Sequence, residues 1–376
     1  MLSAGEASGD LSGAHLAQAL RRLQPGLRLF GMGGARMKAA GVRLLFNPTE
    51  LSTIGFLEVV RNYTLLRRLL TRLSEVAAHQ RPDALVVIDY PGFNLPLAEL
   101  VRKQGIPVVF YFSPGAWAWG AGRAARVAAM GAWVAAVFPF EAEFYRQAGA
   151  KVEFVGHPLP AMVKPRWSGA EARRRLGFRE DAPLFVLMPG SRQQEIRLLL
   201  PPLLAAAAGL GSAIPGLQWG LPLAVTIPRD RVEEHLARYP QVPVRIVEDA
   251  TYELLAAADL GLICSGTATL EAACLGVPML IVYRTSLSTY WLSRLLLHLP
   301  YVGLPNIAAG RQIVPELLQD ACTPQRIAAQ ALALWQDQSR RAQMRAALLE
   351  TVSRLQGEGA VERAAGLILK VAREKL

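Results

Sequence analysis

The chain has 376 residues and carries 41 Lys and Arg against 30 Asp and Glu, a formal net charge of +11. That length exceeds one ordinary core and predicts two domains, and a composition of 52% apolar and 19% charged residues excludes a disordered chain. The positive surplus favours phosphorylated substrates and anionic lipid surfaces, whereas no basic strip with interleaved aromatics marks a nucleic-acid partner.

No apolar run reaches the length of about 18 residues that a spanning helix needs, and the N-terminus lacks the pattern of a signal peptide, so a cytoplasmic protein is expected. Cys264, Cys274 and Cys322 sit inside apolar patterns at no metal spacing, and the five histidines are scattered. A reducing compartment, no metal site and no cofactor are the expectations.

In chain order, Gly5-Glu6-Ala7-Ser8-Gly9-Asp10 follows a strand limited to Met1, Leu2, Ser3 and Ala4 and precedes an amphipathic helix over residues 11–23, with Asp10 or Ser8 as its N-cap. Gly31-Met32-Gly33-Gly34 reads as a turn before a short helix. Residues 63–76 form a two-faced helix with Leu65, Leu66, Leu69, Leu70 and Leu73 on one stripe and Arg61, Arg68 and Arg72 on its flank. Such a helix either packs on its own domain or lies on a membrane surface.

A buried strand over residues 84–88 delivers Asp89 to its carboxyl end, where it serves as a general base or caps the next helix. Another strand, residues 108–112, leads into Ser113-Pro114-Gly115-Ala116-Trp117-Ala118-Trp119, whose tryptophans grip a sugar or acyl chain or anchor the core. An apolar run at residues 134–137 and Phe138-Pro139-Phe140-Glu141 close the first series, and residues 154–158 read as a last strand leading to a domain junction.

Arg-rich residues 158–180 read as a linker and the start of a second domain. A strand over residues 184–188 feeds Pro189-Gly190-Ser191-Arg192, with Arg192 placed to reach a phosphate. Strands follow at residues 223–227 and 244–247, and a helix at residues 251–258. An apolar run ending in Cys264 then stops at Ser265-Gly266-Thr267 before a helical pattern. This is either an ordinary capped helix or an anion site, where unpaired N–H groups accept a diphosphate and Glu271, one turn inside, accepts two ribose hydroxyls. A strand at residues 279–283, an apolar segment at 290–299 and a helical tail beyond Leu304-Pro305-Asn306 complete the pattern. It predicts an α/β architecture of two facing Rossmann-like doubly wound domains with an interdomain cleft.

These motifs, in this order along most of the chain, together with Ile88-Asp89 and Gly156-His157-Pro158, resemble lipid-A-disaccharide synthase, glycosyltransferase family 19. The resemblance implies a GT-B fold with an N-terminal acceptor domain over residues 1–157, completed by the C-terminal helix from about 345 to 376, and a donor domain over residues 158–344. It implies an inverting, metal-independent transfer from UDP-2,3-diacylglucosamine to 2,3-diacylglucosamine 1-phosphate that forms a β-1,6 bond and releases UDP. Asp89 is the expected base, with Glu6 as an alternative or acceptor contact. Gly190, Ser191, Arg192, Ser265, Gly266, Thr267, Glu271 and Asn306 are expected at the donor, and Ser8, Gly9, Asp10, Ser113 and Trp117 at the acceptor. The expected partners are these two glycolipids, the cytoplasmic face of the inner membrane, and a second copy of the chain. A different GT-B transferase, a UDP-sugar 2-epimerase and a non-catalytic relative are the competing readings.

Overall fold

Apolar runs of three to five residues, separated by amphipathic helices, assemble into two all-parallel sheets. The structure is a computed structural model that describes residues 1–48, 59–113, 121–285 and 300–374. The chain divides into one compact unit made of Met1–Pro158 with Leu355–Leu376 and another made of Leu159–Arg354. The return to the first unit thus falls at Leu355, later than the sequence places it, because helix Gln338–Ser353 stays with the second unit.

Among the described residues, the first unit holds seven strands: β1 (Leu2–Ala4), β2 (Phe30–Met32), β3 (Arg43–Phe46), β4 (Leu85–Ile88), β5 (Val108–Tyr111), β6 (Trp133–Ala136) and β7 (Lys151–Phe154). Their order in the sheet is β3-β2-β1-β4-β5-β6-β7. The short β1 pairs with β2 on one side and β4 on the other. Gly31 is obligatory there, because a Cβ would lie 1.8 Å from the Leu2 carbonyl oxygen. Helix Ala360–Arg373 closes this unit, with the Arg363 guanidinium donating to the Val155 carbonyl at 2.9 Å and the His157 amide to the Leu355 carbonyl at 2.9 Å.

The second unit holds β8 (Leu184–Met188), β9 (Gln218–Pro222), β10 (Val244–Val247), β11 (Leu260–Cys264), β12 (Met279–Tyr283) and β13 (Glu316–Leu318), ordered β10-β9-β8-β11-β12-β13. Residues 223–227, expected as a strand, are instead a loop with Val225 87% exposed. The pairing segment lies upstream in Gln218–Pro222, whose Gly220 makes room for the Leu254 side chain. The expected helical tail likewise contains β13.

Helix Val59–Gln80 settles the leucine stripe. Leu69 and Leu73 are buried in the core of the first unit, with Leu66 and Leu70 packed beside them. The outward face carries Leu65, Arg67, Arg68 and Arg72. Gln193–Ala213 is long and apolar enough to cross a membrane by length and composition, against the sequence expectation, but Leu199, Leu200, Leu203 and Leu204 lie in the core of the second unit. Trp117, Trp119 and the segment 290–299 lie outside the described residues.

Candidate active site

In the first unit the strand order reverses between β1 and β4, and ligands of open parallel sheets bind beyond the carboxyl ends of such a pair. The loop after β1 presents Gly5 and Glu6, and β4 ends in Asp89 and Tyr90. Both Asp89 and Tyr90 have φ 51°, a left-handed conformation that costs an L-residue roughly 1–2 kcal/mol. The N-cap of helix Pro91–Lys103 falls on Tyr90, so Asp89 is not the capping residue. The Tyr90 ring lies against Gly5, where a Cβ would come within 2.1 Å of it, and stacks on Phe93 with centroids 6.0 Å apart. Burial, and then the charge of Glu6, push the Tyr90 phenol above its ordinary range.

Other expected acceptor residues divide. The first helix starts at Ala7 with Glu6 at the N-cap, so Ser8, Gly9 and Asp10 form its first turn rather than preceding it. Ser8 is exposed and Gly9 buried. Asp10 is buried and caps a different helix, Ala35–Ala39: its carboxylate accepts from the Gly34, Arg36 and Met37 amides at 2.7, 3.0 and 3.0 Å. Its role is therefore to hold the Gly33-Gly34 turn, and a Cβ on Gly34 would strike that carboxylate.

Ser113 is buried and donates to the carboxylate of Glu141, whose other oxygen accepts from the Val137 amide at 2.8 Å and the Phe138 amide at 3.3 Å. Burial pushes the Glu141 carboxyl up, against the opposing pull of these hydrogen bonds. The fold therefore favours its protonated form, so the stability it adds is full below the ordinary carboxylate pKa and is lost as pH rises through the raised value. Glu141→Gln should remove this fall. In melts from acid to neutral pH, the Tm of the variant should gain on wild type as pH increases, and a pH-independent difference would contradict the assignment.

His157 is also buried, with its ring 5.3 Å from Phe112 and 5.0 Å from Phe138 by centroids. Desolvation lowers its pKa to about 3. A neutral imidazole becomes charged when it takes a proton, so this enclosure disfavours His157 as the base.

The second unit reverses its order between β8 and β11, and the two expected donor loops follow those strands. Gly190 has φ 124°, and a Cβ there would lie 2.3 Å from the Glu195 carboxylate. That carboxylate accepts from the Ser191 amide at 2.8 Å and the Arg192 amide at 3.1 Å, while the Arg192 guanidinium reaches it at 3.3 Å. The Ser191 and Arg192 amides are thus occupied, and the loop offers a phosphate mainly the Arg192 side chain, which is 68% exposed. Thr226, in the loop misread as a strand, donates to the Ser191 carbonyl at 2.6 Å and braces the turn.

After β11, Gly266 has φ 149° and is exposed, as is Thr267, the first residue of helix Thr267–Cys274. The Ser265 hydroxyl donates to the Val302 carbonyl at 3.0 Å. Glu271 is half-buried and accepts from the Tyr252 hydroxyl at 3.4 Å; burial raises its pKa and that hydrogen bond opposes the shift. Asn306 differs from expectation. Its side chain is fully buried and saturated, donating to the Val314 carbonyl and Glu316 carboxylate at 2.8 and 2.7 Å and accepting from the Ile313 and Val314 amides at 2.7 and 2.9 Å. It shapes the segment beside Ser265 and leaves no atom for a ligand. Nothing local signalled Glu195, Thr226 or Tyr252, because each acts through a partner distant in sequence or on backbone.

The sequence model of lipid-A-disaccharide synthetase matches residues 1–371. The chain belongs to the lipid-A-disaccharide synthetase family. The lipid-A-disaccharide synthase of Myxococcus xanthus is 42% identical over 371 residues, covering 99% of this chain and 97% of that one. The Syntrophus aciditrophicus enzyme of the same name is 40% identical over 374 residues, with coverage of 100% and 98%. Among solved structures, MurG of Acinetobacter baumannii aligns with TM-score 0.61 and 18% identity over 98% of both chains, and the UDP-GlcNAc 2-epimerase of Neisseria meningitidis with 0.65 and 14% over 98% of both chains. These low identities speak to fold alone, and the fold is of the GT-B type. Family membership, unlike the fold, separates this lipid-A-disaccharide synthetase relative from the epimerases.

Proposed function

We propose that the protein transfers 2,3-diacylglucosamine from its UDP donor to 2,3-diacylglucosamine 1-phosphate with inversion. The acceptor 6-hydroxyl attacks the donor anomeric carbon, the carbon–phosphate-oxygen bond breaks, and its electron pair leaves with UDP. Asp89 takes the hydroxyl proton. The second unit holds the nucleotide, with Arg192 on the diphosphate and Glu271 on the ribose. The observation that carries this reading is a carboxylate at one switch point and a guanidinium at the other in a chain whose residues 1–371 match this family. Release of UDP tests it: release should require both glycolipids, whereas an epimerase would convert a UDP-sugar with no acceptor present.

The same reading includes peripheral attachment to the cytoplasmic face of the inner membrane. What supports it is the net charge of +11, the lipid substrates and the outward Arg67, Arg68 and Arg72. The buried Leu69 and Leu73 have no part in it. Binding to vesicles containing phosphatidylglycerol should weaken with salt and fall severalfold in Arg68→Glu/Arg72→Glu. Binding indifferent to both would sink the electrostatic attachment.

A further inference from the structure

Asn94 lies in the fourth residue of helix Pro91–Lys103, is only 1% exposed, and links the two strands of the first switch point. Its amide nitrogen donates to the carbonyl of Asp89 at 2.7 Å and to those of Ile88 and Ser3 at 3.2 Å each. These carbonyls can only accept, which fixes the nitrogen end of the amide, and its oxygen accepts from the Ser3 hydroxyl at 2.6 Å. Ser3 itself is fully buried in β1.

The carbonyl that Asn94 holds most closely belongs to a residue with φ 51°, followed by a second with the same φ. Left-handed backbone at two consecutive non-glycine residues persists only where surrounding bonds over-determine it. At the carboxyl end of β4 the sheet ladder supplies the Asp89 amide with the Phe112 carbonyl, at 3.0 Å. The Asp89 carbonyl is turned into the unit, onto Asn94. Freed of that bond, Asp89 would relax from φ 51° toward negative φ, and rotation about N–Cα, with its amide held on Phe112, carries the Cα–Cβ bond with it.

We propose that Asn94, oriented by Ser3, is a positioning residue for Asp89: it fixes the strained peptide that aims the Asp89 carboxylate. The proposal rests on the assignment of Asp89 as base. Asn94 does not touch substrate, and its effect passes through Asp89 alone. A misplacement of about 1 Å in a reacting group costs on the order of 100-fold in rate, so the coupling is large enough to measure.

The experiment is a double-mutant cycle on the full chain with both glycolipids as substrates, reading kcat and, separately, UDP affinity. Asn94→Ala should lower kcat roughly 10- to 100-fold in the wild-type background, and less than about 3-fold in the Asp89→Asn background, because residues acting as a unit are not additive. UDP affinity should stay at the wild-type value throughout. Equal losses in both backgrounds, or no loss in wild type, would overturn the proposal, since a purely structural asparagine would harm both backgrounds alike. Should Asn94→Ala fail to fold, Ser3→Ala enters the same cycle, with a smaller kcat loss that must likewise vanish beside Asp89→Asn; an equal loss in both, or none in wild type, overturns it. Failure of the base assignment is seen separately, as wild-type rates in Asp89→Asn alone.

Discussion

Asp89→Asn is expected to lower kcat by roughly 10²- to 10⁴-fold, the usual share of general acid–base catalysis, with UDP affinity unchanged. The substitution keeps the shape of the side chain and removes its basicity. It also separates chemistry from helix capping, because Asn caps about as well as Asp and the N-cap position here falls on Tyr90. Two other groups near the same strand ends serve as controls. His157 is enclosed by Phe112 and Phe138 with its pKa lowered to about 3, so His157→Ala should lose less than Asp89→Asn. Glu6 sits at the N-cap of helix Ala7–Leu23, where Glu6→Gln should act on acceptor binding more than on kcat. Steady-state rates for the three variants decide the matter, and a larger kcat loss in either control would hand the role to that residue.

Arg192→Ala should weaken UDP binding by about 1.5–3 kcal/mol, the scale of a hydrogen bond to a charged group, or roughly 10- to 150-fold in Kd. The size of the effect follows from the local geometry. Glu195 already occupies the Ser191 and Arg192 amides, so the guanidinium carries most of what this loop gives a diphosphate. Arg192→Lys should recover only part of the loss, because an ammonium cannot make the paired contact of a planar fork. Calorimetry with UDP reads both variants, and wild-type affinity in Arg192→Ala would move the diphosphate away from β8.

Strands buried on both faces were legible as uninterrupted apolar runs, which is why β4, β5, β8, β11 and β12 lie where the sequence puts them. The strands that escaped have weaker signals. β3 and β13 are only partly buried, and β9 carries Gly220 and Pro222, residues that ordinarily argue against a strand. The same division runs through the site. The strand-end positions of Asp89, Arg192, Ser265 and Gly266 were readable because a strand-to-helix turn leaves a local pattern, and the strand order places those turns at two switch points. Asp10 looked like a ligand residue by the same local logic, and Asn306 through the resemblance. The Asp10 carboxylate is held by backbone groups 24 to 27 residues away, and the Asn306 amide by backbone 7 to 8 residues away and the Glu316 carboxylate 10 away, and no spacing rule reports that a polar side chain is already held. Asn94 is the reverse case, a buried polar residue among the apolar Phe93, Leu95, Leu97 and Ala98 of its helix, whose purpose shows only when Ser3, 91 residues earlier, lies beside it.

The central claim is that the chain joins two diacylglucosamine units, and the linkage in the product tests it most directly. The full chain would be incubated with UDP-2,3-diacylglucosamine and 2,3-diacylglucosamine 1-phosphate, and the lipid product analysed by mass spectrometry and by NMR at the anomeric carbon. A tetraacylated disaccharide 1-phosphate with a β bond to the acceptor 6-oxygen, formed with one UDP per disaccharide, is the result expected. Donor consumed without incorporation into the acceptor, or an α bond, would contradict it.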